Sequence, residues 1–164
     1  MDAQIRKYQD CMIISARALL AFGLWGLLRV FFFKASGDTL FHILAEESAL
    51  EGMDPVTFEI MFIIVYLIFD VAFRIYVSRS AISEGRGKKR SIAYLVVAVL
   101  YILISLFSYV VIINDNSIGG TLIEDISAII IDFTTLFALV VIIYSSVKVR
   151  RLRNLKKGAE ENAD

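Results

Sequence analysis

This chain of 164 residues holds one cysteine, one proline and one histidine. With Cys11 alone, no disulfide can form within the chain. Cys11 sits at the mouth of an apolar segment, where it reads as an interfacial thiol; palmitoylation is the alternative there. With His42 alone and no second ligand at a suitable spacing, no metal site is expected. The sequence also lacks an H-x-x-x-H or metal-ligand D-x-x-D pair, a G-x-S-x-G elbow, a glycine-rich phosphate loop and a cysteine pair for redox work. Those absences argue against an enzyme and against a bound cofactor. A separate soluble domain is excluded by space, because apolar segments take up most of the chain.

What the chain has is hydrophobic residues. They make up 58% of it, against about 45–50% in an ordinary soluble domain, and the mean hydropathy is +0.71. They fall in four long runs, about 12–33, 56–77, 91–113 and 123–147. About 20 apolar helical residues cross the ~30 Å hydrocarbon layer of a bilayer. The expected fold is therefore all-α: an antiparallel bundle of four transmembrane helices forming a single domain over 1–157. A polar tail over 158–164 is expected to be disordered. The first run is longer than the apolar core of a signal peptide, carries Arg17 and Arg29, and lacks a small-residue cleavage site, so it reads as a retained anchor.

The net charge of zero hides a segregation of sign. Between the first two runs stand five acids, Asp38, Glu46, Glu47, Glu51 and Asp54. The next connection carries Arg79, Arg86, Lys88, Lys89 and Arg90 against Glu84 alone. The third connection, 114–122, has no lysine or arginine. The tail is again basic, with Lys148, Arg150, Arg151, Arg153, Lys156 and Lys157. Short basic loops stay in the cytoplasm. With an even number of spans, both termini then lie on the cytoplasmic side of a cell membrane, and the first and third connections lie outside. The basic loop and tail are expected to attract anionic lipid. Topology alone explains them, so nucleic acid is not an expected partner.

Within the first outer connection, 38–52 has the pattern of a short amphipathic helix. Asp38 can cap its start and Gly52 its end, and Leu40, Phe41, Leu44 and Ala45 share one face. Pro55 marks the start of the second run, where proline is tolerated. Gly85-Arg86-Gly87 breaks the basic connection, and Asn114-Asp115-Asn116 with Gly119-Gly120 makes the last turn.

In a bilayer, small and polar residues mark helix contacts, since lipid is as apolar as leucine. At alternating spacings of three and four they predict a seam on each helix. In the first run the seam is Ser15, Ala18, Phe22, Trp25 and Arg29. In the second it is Glu59, Ile63, Tyr66, Asp70 and Phe73, with Arg74 beside it. The third has the polar seam Ser91, Tyr94, Ala98, Tyr101, Ser105 and Ser108. The fourth has Asp125, Ala128, Asp132, Thr135, Leu139, Ile142 and Ser146.

Charges inside such spans are costly, at about 2.5–3.5 kcal/mol each on insertion scales. Counting ~1.5 Å per residue places Arg29, Asp132, Glu59 and Asp125 in an outer layer. Asp70, Arg17, Arg74 and the Tyr94 hydroxyl fall in an inner one. Arg29 is expected to pair with Asp132, and Asp70 with Arg17 or Arg74. As charge pairs these residues hold the bundle together. Alternatively, the surplus of carboxylates in the outer layer binds a cation or proton. Two functions follow. One is a non-enzymatic accessory or structural subunit that associates with a membrane-protein partner or with itself. The other is a small homo-oligomeric proton- or cation-coupled carrier or channel using Asp132 and Asp70.

Overall fold

The computed structural model describes residues 2–36, 55–114 and 122–161. The amphipathic helix expected over 38–52 and most of the last turn lie outside the described residues. So do the side chains of Arg29, Glu59, Ser108 and Asp125. Among the described residues the chain is helical with no strand. Its helices are α1 Asp2–Ser36, α2 Pro55–Gly85, α3 Ala93–Asn114 and α4 Leu122–Glu161. Two stretches, Asp2–Leu28 and Ile129–Ala159, are long and apolar enough to cross a membrane by length and composition.

Three helices outrun their apolar segments. α1 begins ahead of residue 12, α2 continues past 77 through Gly85, and α4 continues past 147 to Glu161. The α4 extension is rich in Arg, Lys and Leu, which lose little side-chain freedom in a helix. The α4 extension covers the start of the segment expected to be a disordered tail. Hydrophobic content marks where a helix is apolar and does not mark where the helix stops.

The end of α2 is encoded locally. Gly87 adopts φ +91°, a left-handed conformation open to glycine at little cost. The Gly87 N–H donates to the Glu84 carbonyl at 2.9 Å, and the Lys88 N–H donates to the Ser83 carbonyl at 3.1 Å. This is the Schellman pairing that satisfies the last carbonyls of a helix. Four residues later Ser91 Oγ accepts from the Ala93 N–H at 3.2 Å, meeting one of the free donors at the start of α3.

The chain divides into two compact units, Met1–Phe22 with Tyr76–Asp164, and Gly23–Ile75. The first unit has a continuous core. α1 contributes Ile5, Met12, Ala16 and Leu19, and α2 contributes Val77, Ser78, Ala81 and Glu84. α3 adds Tyr94, Leu95 and Ala98. α4 adds Ile131, Thr135, Ala138, Leu139, Ile142, Ser145, Ser146 and Val149. In α4 the buried positions Thr135, Leu139, Ile142 and Ser146 follow the expected seam. In α1 the seam is rotated by one position: Met12, Ala16 and Leu19 are buried, while Trp25 is exposed. Small and polar residues misled there, because methionine and leucine fill the contact. The expected α2 seam falls in the second unit, where Tyr66 is exposed, Asp70 and Phe73 are half-buried and Arg74 is buried. In the first unit the buried row of α2 runs from Val77 to Glu84.

Small residues let helix backbones approach closely. At Gly85 an added Cβ would lie 2.6 Å from Ile13 Cγ1 and 3.1 Å from the Gln9 carbonyl oxygen. α1 and α2 therefore touch at backbone distance at this point. In the second unit, a Cβ on Gly23 would lie 2.5 Å from Arg74 Cδ, so the arginine stem lies directly over a bare stretch of α1.

Candidate functional site

Among the described residues, a densely connected polar site forms around Glu84 in the first unit. Glu84 lies in the last turn of α2, where the helix dipole disfavours a negative charge. Its side chain is 2% exposed. A buried carboxylate persists only when other groups replace its water. Arg150 of α4 supplies two N–H groups, Nε to Oε1 at 2.7 Å and Nη2 to Oε2 at 2.8 Å. The Tyr94 hydroxyl, in the first turn of α3, donates to Oε2 at 2.6 Å. Ser146 Oγ, one turn before Arg150, donates to Oε1 at 3.1 Å. Each carboxylate oxygen thus accepts two hydrogen bonds, which fills its capacity.

The surrounding groups close the site. Each hydroxyl has one proton, and both protons go to Glu84. The 3.0 Å separation of Tyr94 and Ser146 oxygens is then a contact between two donors to one acceptor. Met12 Sδ of α1 lies 4.0 Å from the Tyr94 hydroxyl. The second Nη2 proton of Arg150 is shared between the carbonyls of Arg90 at 3.1 Å and Ser91 at 3.4 Å. Arg153 Nη2 reaches the Glu84 carbonyl at 3.5 Å. One side chain from α4 therefore holds the end of α2, the connection and the start of α3.

The electrostatics follow from this geometry. Burial alone would push the Glu84 carboxyl up. The Arg150 guanidinium and the Tyr94 and Ser146 hydroxyls outweigh it and hold the group below its ordinary 4.5. Glu84 in turn raises the Arg150 guanidinium above its ordinary value, against the opposing effect of burial. The pair is charged at neutral pH and bidentate, the strong form of ion pair. Elsewhere in the unit, α1 and α4 are tied at the surface by Lys156 Nζ on Asp2 Oδ1 at 2.9 Å. Tyr8 and Tyr144 meet edge to face with centroids 6.0 Å apart.

The residues singled out by sequence are distributed differently. Asp70 and Arg74 meet in the second unit, with Nε donating to Oδ2 at 2.7 Å, and both side chains are largely buried. Arg17 is exposed and Asp132 half-buried. Of the polar seam of α3, Tyr94 is buried and Tyr101 and Ser105 are half-buried. Glu84 was missed as a site residue. It is the lone acid in a basic connection, and that isolation was the available signal. Among the described residues no group of three or more His, Cys, Asp or Glu could hold a metal ion.

Comparison with protein-family models, with curated proteins and with solved structures gave no match.

Proposed function

We propose that this chain is a small four-span membrane protein with both termini on the cytoplasmic side. It acts as a non-enzymatic accessory or structural subunit that associates with a membrane partner or with itself. The observation that carries this reading is the outward display of large apolar side chains on every helix. Leu24 and Trp25 of α1, Phe69 of α2, Phe107 of α3 and Phe133 and Phe137 of α4 are all more than half exposed, with Phe69 at 73%. In water such surface costs about 25 cal/mol per Å², and soluble monomers rarely expose it in continuous tracts. A bilayer removes that cost. The Glu84 cluster supports a structural role, since its acceptors are filled by the chain's own donors, as in a clamp between helices. The ion pairing of Asp70 with Arg74 points the same way, because a carboxylate neutralised by its neighbour has less to offer a passing cation.

The test is extraction from native membranes with mass determination, beside proteoliposome flux. A fixed stoichiometry with a membrane partner or with itself, and no proton or cation flux, is expected. Flux that vanishes in Asp132→Asn and Asp70→Asn would overturn the accessory reading in favour of a carrier.

A further inference from the structure

At the junction of α2 and α3, Arg79, Ile82, Ser83, Arg86, Lys88 and Arg90 line an open groove of about 290 Å³. Arg79, Ser83 and Arg86 recur at four and three positions, so they share one face of α2 and its capping turn. The left-handed Gly87 then reverses the chain and brings Lys88 and Arg90 to the same groove. Arg90 Nε donates to Ser83 Oγ at 3.1 Å, which fixes the connection against the helix. Four cations therefore converge on a small concavity with no acid in its lining. The acid next in sequence, Glu84, points away into the buried cluster and is neutralised by Arg150. Beside the groove the surface turns apolar: Tyr76, one turn before Arg79, and Ile92, just after Arg90, are both exposed. A tyrosine between an apolar band and a cationic band is the arrangement of a membrane interface.

We propose that this groove binds the phosphate headgroup of an anionic phospholipid. Arginine forks match phosphate oxygens in pairs, and the Ser83 hydroxyl in the same lining adds a polar contact. Tyr76 and Ile92, exposed and within three positions of the groove-lining Arg79 and Arg90, offer acyl chains an apolar surface near the headgroup, which favours a lipid over free phosphate. The groove is too small for a folded partner. The proposal rests on the membrane reading above, and goes beyond it by placing a saturable site in the connection rather than a diffuse attraction spread over connection and tail.

Native mass spectrometry of the full chain in detergent tests it, with phosphatidylglycerol, phosphatidylcholine and inorganic phosphate as probes. One phosphatidylglycerol is expected to be retained in preference to phosphatidylcholine. Arg79→Gln with Arg86→Gln should weaken retention roughly 30-fold, the effect of two interfacial charges. Arg79→Lys with Arg86→Lys, which keeps the charge and the fold, should retain part of it. The tail pair Arg151→Gln with Lys157→Gln should leave it unchanged. Equal loss in the tail pair would overturn the site in favour of diffuse attraction. Displacement by inorganic phosphate at equal concentration would overturn the lipid assignment. Carbonate extraction separates the two readings: a chain that stays in the membrane but shows no lipid preference sinks only the groove, and a chain released by carbonate sinks the membrane reading itself.

Discussion

Arg150 holds Glu84 through two guanidinium N–H groups, at 2.7 and 2.8 Å, across 66 positions of the chain. The contact joins α4 to α2, and through Tyr94 it includes α3. Because the carboxylate is almost fully buried, the pair behaves as a lock whose two halves depend on each other.

Removing one half should be far worse than removing both. Glu84→Gln leaves Arg150 without its counter-charge and should cost about 3 kcal/mol, at the low end for a buried pair because Arg150 still reaches water. Arg150→Met should cost at least as much, since the stranded carboxylate is the more deeply buried partner. Glu84→Met combined with Arg150→Met should recover most of the loss, with Tyr94 free to donate to Ser146. Thermal unfolding in detergent measures all three. A double variant as poor as the worse single one would show that the two groups do not depend on each other in this way.

The same carboxylate sets an acid limit. Its folded value is depressed below the ordinary 4.5. The folded state therefore binds fewer protons than the unfolded one, and the stabilisation is complete above 4.5. It should fade as the pH falls below that value and through the folded pKa. Unfolding temperatures recorded from pH 7 down to pH 3 should fall for the native chain. The native and Glu84→Gln curves should converge at the acid end. Parallel curves would contradict the assignment.

Gly85 should not tolerate a methyl group. Ile13 can rotate away from it, but the Gln9 carbonyl at 3.1 Å is backbone, so α1 and α2 must separate. Gly85→Ala should cost about 1–3 kcal/mol. Gly158→Ala, which meets nothing within 4 Å, should instead stabilise α4 by up to about 1 kcal/mol. Unfolding of the two variants side by side distinguishes a packing effect from helix propensity, which acts in the same direction at both sites.

Gly23 should govern the Asp70–Arg74 pair. An added Cβ would lie 2.5 Å from Arg74 Cδ, so the arginine must swing out and its 2.7 Å bond to Asp70 must lengthen. Gly23→Ala is expected to destabilise by about 1–3 kcal/mol, and Gly26→Ala, with open space around it, is not. If the pair is what is lost, Asp70→Asn should add little on top of Gly23→Ala. Full additivity would place the effect elsewhere.

The helical character of this chain, its apolar segments and the turn at Gly87 were legible in the amino-acid sequence. Each depends on local properties: propensity, hydropathy over about 20 residues, and glycine's freedom at positive φ. The same is true of the α4 seam through Thr135, Leu139, Ile142 and Ser146, where spacing alone selects a face. Counting brought Asp70 within reach of Arg74, one turn away, but left Arg17 as an equal candidate, and the structure chose Arg74. What only the tertiary structure decided is which residues from distant positions share a site. Glu84 stands in a basic connection and Arg150 in a basic tail, so by sequence both belong to water and lipid headgroups. They meet because α2 and α4 continue as helices beyond their apolar segments, and because Gly85 lets α1 approach closely. A buried carboxylate then requires a cation and two hydroxyls, and folding brings Arg150, Tyr94 and Ser146 within hydrogen-bonding distance of it.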